Sequence, residues 1–378
     1  MGTPTPDTRG SSVSGDRRRR AGSVIGGVAG AAATGAAIGV AARWSKLARE
    51  RRTPHDEPER LGMQPAGTEW SVAADDGVRL AAEVIDPPDG RAELTVVLVH
   101  GFALDRRCWH FQRLALAELT SPRVRLVLFD HRSHGRSERA VRASCTIAQL
   151  GSDLDAVLRA LAPDGPVVLV GHSMGGMSIM ALGEEKPELF GSRVVGVALL
   201  CTSASEVALG GLPGTFLSRR NPLTRAVGLL AHWQPRAVER TRAMITDLIW
   251  GVTRAYAYGD RRVDRWLVDF VHAMISANGV DALTDFIDTL DSHDRLAALP
   301  ALTRCRTLVL SGEADRIIPP RHAEVVAARL PDAVVVRLPG VGHMAMLERP
   351  DVVDEAVTGL ISEVAPPIGL LRRLRKRA

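Results

Sequence analysis

The run Val167-Val168-Leu169-Val170-Gly171-His172-Ser173-Met174-Gly175-Gly176 decides how the rest of the chain is read. Four aliphatic residues in succession predict a buried strand. An apolar stretch of helical character, 177–182, follows almost at once. Between them stands one serine with a glycine two positions before it and another two positions after. As a bare pattern, G-x-S-x-G carries little information; between a strand and a helix it carries much more. A tight strand-to-helix turn holds its middle residue in a strained backbone conformation, and the neighbouring positions come so close to other chain that only small residues fit. Such a turn lifts the Ser173 hydroxyl above the sheet, near the positive end of the following helix.

Similar aliphatic runs recur on either side, at 94–100, 124–130, 194–201, 307–311 and 333–338, and the strand that leads into the serine turn is read at 166–171. Upstream, 68–74 and 78–86 alternate around Asp75-Asp76-Gly77, which is a hairpin signal. Helical stretches separate most of these strands; over 146–161, Leu150, Leu154, Val157, Leu158 and Leu161 fall on one face. The alternation predicts an α/β protein with a mostly parallel, eight-stranded sheet flanked by helices on both faces. One interval is too long for an ordinary crossover. Residues 204–303 hold helical periodicity at 263–275 and 280–290 and both tyrosines, and they are expected to form a helical cap over the sheet's C-terminal edge. The core is then 68–203 together with 304–362.

Composition narrows the classes. Of 378 residues, 46% are hydrophobic and 24% charged, as in an ordinary globular protein. The net charge of +5 is carried by the ends of the chain, and the body between them is net negative. A nucleic-acid backbone therefore finds no basic footprint there, and no nucleic-acid partner is expected. Four cysteines, Cys108, Cys145, Cys201 and Cys305, show no C-x-x-C spacing and read as free thiols. Only three basic residues are lysine (Lys46, Lys186 and Lys376), a skew toward arginine that reads as GC-rich coding, as in actinobacteria.

The ends are distinct. Residues 1–20 close on Arg17-Arg18-Arg19-Arg20 and read as a disordered basic segment; 43–67 reads as a linker. Between them, 21–42 is a stretch of 22 residues without a charge, long enough to span a bilayer core though rich in alanine and glycine. Small residues recur every four positions at Gly22, Gly26 and Gly30, then at Gly35 and Gly39. A membrane anchor is the leading reading; a cleaved export signal and a surface-lying tail compete with it. Basic residues flank both sides, so orientation is not set. The C-terminal tail, 363–378, pairs apolar with basic residues over 368–377 and can add a second contact with anionic lipid.

A serine hydroxyl attacks only when a base takes its proton, and that base needs an orienting acid. Leu310-Ser311-Gly312-Glu313-Ala314-Asp315 places two carboxylates after one strand, and Leu338-Pro339-Gly340-Val341-Gly342-His343 places an imidazole after the next. Spacing alone leaves Glu313 and Asp315 as rivals. The order Ser, then acid, then His is that of one serine-hydrolase fold among several.

Over about residues 68–362 the chain resembles the α/β-hydrolase superfamily. His100-Gly101-Phe102 resembles its oxyanion-loop signature. Asp130-His131-Arg132-Ser133-His134-Gly135-Arg136-Ser137 resembles its D-x-R-G-H-G-x-S segment, with Ser133 where glycine is usual. Gly312-x-x-Asp315-x-x-x-Pro319 and Gly342-His343 with Glu348-x-Pro350 resemble the acid and histidine segments. The resemblance implies Ser173 as nucleophile, His343 as base and then acid, and Asp315 as its orienter. It also implies the backbone N–H groups of Phe102 and Met174 as the oxyanion hole. Trp109, His172 and Met177 are candidate pocket residues. A serine at 173 disfavours the epoxide- and halide-directed branches, which use a carboxylate nucleophile.

The expectation is a serine hydrolase acting on an apolar small-molecule ester. Carbon–carbon hydrolysis and peroxide-using acyl transfer, as in cofactor-free haloperoxidases, keep the same triad; a non-catalytic ligand-binding member of the fold is a further alternative. No cofactor and no metal are expected, since neither a phosphate loop nor a dinucleotide fingerprint nor a metal-ligand spacing occurs.

Overall fold

The structure, a computed structural model, describes residues 1, 2, 49, 51, 60–64, 67–205, 246, 247, 249–260 and 262–366. Two units are distinguished, Met1–Pro54 and His55–Ala378, and the sheet with its helices belongs to the second. The expected anchor at 21–42, the tail segment 368–377 and part of the expected cap, 206–245, lie outside the described residues. Among the described residues no helix is long and apolar enough to cross a membrane.

Strands β1 (Thr68–Ala73) and β2 (Arg79–Ile85) form the expected antiparallel hairpin, with Gly77 at φ +87° in its turn. The remaining strands are β3 (Leu94–Val99), β4 (Val124–Phe129), β5 (Val167–His172), β6 (Val194–Leu200), β7 (Arg306–Gly312) and β8 (Val334–Leu338). Their order across the sheet is β1-β2-β4-β3-β5-β6-β7-β8, antiparallel as far as β4 and parallel from there on. Strands β3 and β5 are buried along their whole length, which explains why their sequences are aliphatic without alternation.

The helices used below are α1 (His110–Ala117), α2 (Ile147–Leu161), α3 (Met174–Glu185), α4 (Arg265–Ala277), α5 (Val280–Asp291), α6 (Arg321–Ala327) and α7 (Pro350–Val364). Thr146 caps α2 by accepting a hydrogen bond from the Gln149 N–H at 3.1 Å. Leu154, Val157, Leu158 and Leu161 then face a core shared with Val97, Val99 and Leu169 of the sheet. Arg132, fully buried, is held by Asp153 of α2 at 2.6 Å and by Asp76 of the hairpin turn at 2.7 Å.

From β3 the chain steps outward to β4, then returns past β3 to β5 and continues to β8 on the other side. The strand order thus reverses between β3 and β5. In an open α/β sheet the crevice beyond the carboxyl ends of the strands at such a point is where ligands bind. Val99 pairs with Gly171, so the loop after β3 and the turn after β5 open onto the same crevice.

Candidate active site

Ser173 is the single residue between β5 and α3, with φ +53° and ψ −118°. That is left-handed territory, which an L-residue enters only when the surroundings hold it there. They do so on both sides. The Ser173 N–H donates to the Leu200 carbonyl at 2.9 Å, and the Thr202 hydroxyl donates to the Ser173 carbonyl at 2.7 Å. The flanking glycines are required by contact. A Cβ on Gly175 would stand 2.1 Å from the Val99 carbonyl oxygen, and one on Gly171 would stand 2.6 Å from the Gly176 nitrogen. Met174 opens α3, so its N–H has no acceptor one turn back in the helix. Across the crevice, a Cβ on Gly101 would lie 3.1 Å from the Ser173 Cβ, which puts the Gly101-Phe102 backbone directly against the serine.

The acid and the imidazole meet at the ends of β7 and β8. A Cβ on Gly312 would touch the Val341 and Gly342 carbonyl oxygens at 2.4 Å, so the two loops pack backbone to backbone. Asp315 Oδ2 lies 2.8 Å from His343 Nδ1, and both side chains are buried. The other oxygen, Oδ1, accepts from the Ile317 and Ile318 N–H groups, each at 2.8 Å, which fixes the plane of the carboxylate. A carboxylate only accepts, so Nδ1 carries the proton and Nε2 of a neutral His343 keeps its lone pair. Glu313, the rival acid, is exposed. Among the described residues no hydrogen bond joins Ser173 Oγ to His343 Nε2. Such contacts are often long without substrate and tighten when it binds.

His172 was expected to line the pocket; the structure gives it a different place. Its Nε2 donates to the His343 carbonyl at 2.9 Å, and the two rings stand 4.7 Å apart. Burial and the neighbouring His343 hold its pKa well below the usual imidazole value, so it stays neutral. It supports the His343 loop from beneath. Trp109 is fully buried in the turn before α1, and it is not part of the apolar cluster that contains the first residues of α3. Met174 and Met177 do belong to that cluster, with Ile318 from the acid loop and Phe286 and Leu290 from α5, and Phe102 packs against it.

Two contributors were not foreseen in the sequence. Phe286 is fully buried and meets the His134 ring at 5.2 Å, and the Phe102 ring meets His134 from another side at 6.0 Å. Burial lowers the His134 pKa to about 3, so the ring adds no charge to this apolar space. Asn278, between α4 and α5, donates to the Ala103 carbonyl at 2.9 Å and accepts from the Gly135 N–H at 3.0 Å. It ties the cap to both loops above β3 and β4. Periodicity located helix α5 but carries no information on which of its residues reaches the crevice. Among the described residues no group of three His, Cys, Asp or Glu is placed to hold a metal ion.

A model of the alpha/beta hydrolase family matches residues 96–356, which is more than half of the chain. The chain belongs to the alpha/beta hydrolase family. Among its relatives, an uncharacterised hydrolase of Bacillus subtilis, YugF, is 27% identical over 289 residues, 76% of this chain and 95% of that protein. The sn-1-specific diacylglycerol lipase ABHD11 of Mus musculus is 26% identical over 281 residues, covering 72% of this chain and 83% of the lipase. Among solved structures, a thermophilic esterase from Thermogutta terrifontis superposes with a TM-score of 0.61 at 24% identity, covering 79% of this chain and all of the esterase. That last likeness concerns the fold.

Proposed function

We propose that this alpha/beta hydrolase cleaves a carboxylic ester of an apolar small molecule through an acyl-enzyme. The observation that carries the reading is the buried Asp315–His343 hydrogen bond at 2.8 Å, at the same sheet edge as a serine held at φ +53°. In this reading His343 Nε2 takes the Ser173 proton as Oγ attacks the ester carbonyl. Asp315 keeps the imidazole in the required tautomer and stabilises the imidazolium that forms. The N–H groups of Phe102 and Met174 receive the charge that develops on the carbonyl oxygen; losing one such donor typically costs about 3 kcal/mol. His343 then returns the proton to the leaving alcohol, and water completes the cycle on the acyl-enzyme.

The apolar substrate is supported by one apolar cluster that joins Met174 and Met177, on the helix that starts right after Ser173, to Phe286 and Ile318, with Phe102 packed against it. The likeness to an sn-1-specific diacylglycerol lipase agrees with an ester. Aryl esters of graded acyl length test the reading. The expected result is a burst of released phenol equal to the enzyme concentration, with turnover rising from acetyl toward longer acyl chains. Absence of turnover on every ester, with cleavage of a diketone acid instead, would move the protein to the carbon–carbon branch.

We also propose that residues 21–42, with 368–377, hold the enzyme at a membrane, since an uncharged stretch between basic flanks and a second basic-apolar tail supply two signals where one is seldom enough. Cells expressing the full chain and a 61–378 truncation should show the first in the membrane fraction and the second in the soluble fraction. Recovery of the full chain in the soluble fraction at low salt would refute the anchor.

A further inference from the structure

Segment 255–259 of the cap crosses both loops that carry the acid and the imidazole. From the acid loop, Arg316, the neighbour of Asp315, donates through Nη1 to the Ala255 carbonyl at 2.9 Å and to the Tyr258 carbonyl at 3.1 Å. Its Nη2 reaches the Gly259 carbonyl at 3.4 Å. From the imidazole loop, the Met344 N–H donates to the Ala257 carbonyl at 3.0 Å. Glu348 joins the two chains directly: Oε2 accepts from the Gly259 N–H at 2.9 Å and Oε1 from the Gly342 N–H at 2.8 Å.

The crossing is tight. A Cβ on Gly259 would lie 2.0 Å from the Gly340 oxygen, and one on Gly342 would lie 2.4 Å from the Gly259 nitrogen. The segment is itself anchored, because the buried Tyr258 hydroxyl donates to the Leu267 carbonyl of α4 at 2.7 Å. Residues on either side of His343, and the residue after Asp315, are thus fastened to one stretch of cap backbone.

We propose that Arg316 and Glu348 are positioning residues that set the Asp315–His343 pair against Ser173 through segment 255–259, so that the cap's placement determines the alignment of the base. The inference rests on the serine-hydrolase reading. Its physical basis is that proton transfer needs the base within hydrogen-bond reach, and a misplacement of about 1 Å can cost roughly 100-fold in rate. The carboxylate at 348 is specifically required. It accepts once at each oxygen, whereas an amide has one acceptor oxygen and would turn its NH2 toward the second N–H.

The test uses the full chain with Glu348→Gln, Arg316→Met and Arg316→Lys, each made in the parent and in a His343→Ala background, and reads kcat and KM on a short-chain aryl ester together with thermal stability. In the parent, Glu348→Gln and Arg316→Met should lower kcat by about 10- to 100-fold with KM within about twofold. Arg316→Lys should recover part of the loss. In the His343→Ala background neither Glu348→Gln nor Arg316→Met should lower the residual rate further, because the imidazole they position is gone. A folded Arg316→Met with kcat within twofold of the parent would overturn the proposal, as would an equal fold-loss in the His343→Ala background. If Glu348→Gln fails to fold, the exposed Arg316 decides the matter alone. Retention of activity by His343→Ala itself would instead remove the triad reading on which the proposal stands.

Discussion

Gly175 and Gly359 both lie in helices, yet they are glycine for unrelated reasons. At Gly175 an added Cβ would meet the Val99 carbonyl oxygen at 2.1 Å; at Gly359, within α7, it would meet nothing within 4 Å. Gly175→Ala should therefore push the turn out of its place between β3 and β5 and destabilise the protein by about 2 kcal/mol or more. Gly359→Ala should stabilise by about 0.5–1 kcal/mol, since a helix interior prefers alanine. Thermal denaturation followed by circular dichroism checks both signs. The serine turn was legible in the sequence because small residues at such spacing have one mechanical explanation. Ser133 was notable only through the resemblance, which implies glycine at that place; the structure holds it at φ +63°, and its hydroxyl accepts the Ala140 N–H at 3.0 Å, which helps hold a conformation that favours glycine. The choice of Asp315 over Glu313 came from a resemblance to known segments. Spacing could not make it, since both carboxylates follow β7 within three residues and only the folded loop turns one of them toward His343.

Among the elements, α1 and α7 pack against each other through a polar pair. Gln112 Nε2 donates to Asp354 Oδ1 at 2.8 Å and to the Met346 carbonyl at 3.2 Å. Burial raises the Asp354 pKa to about 6, above the value of about 3.9 expected of an unfolded chain, with the Gln112 hydrogen bond only partly opposing it. Between these values the folded protein holds a proton that the unfolded chain has released, so stability from this group is full below about pH 4 and falls as pH rises toward 6. Asp354→Asn keeps an acceptor for Gln112 and removes the titration. The difference in melting temperature between variant and parent should therefore grow in the variant's favour from pH 4 to pH 7; a constant difference would show that Asp354 does not titrate in this range. The strands from β3 through β7 were readable because almost fully buried parallel strands have no polar face to dilute the signal, whereas β8, largely exposed, was readable from its run of valines. The pairing of cap to core was not readable. Phe286 and Asn278 sit on α5 and before it among residues of similar type, and only the tertiary contacts with His134, Ala103 and Gly135 distinguish them.

Across the whole molecule, the reversal of strand order between β3 and β5 gathers at one sheet edge residues far apart in the chain: Phe102, Ser173, Asp315 and His343. The sequence supplied this arrangement through its order of strands, since a parallel sheet sends the segment after every strand to the same edge. In the proposed reading the bond-making groups are those four core positions, and segment 255–259 of the cap aligns two of them. The most direct measurement is active-site labelling: a fluorophosphonate probe applied to the full chain and to Ser173→Ala, with aryl-ester turnover recorded on both. The account predicts one label per chain at Ser173, loss of the label and at least a thousandfold fall in kcat in the variant, with unchanged thermal stability. Labelling at another residue, or turnover by Ser173→Ala within about tenfold of the parent, would contradict it.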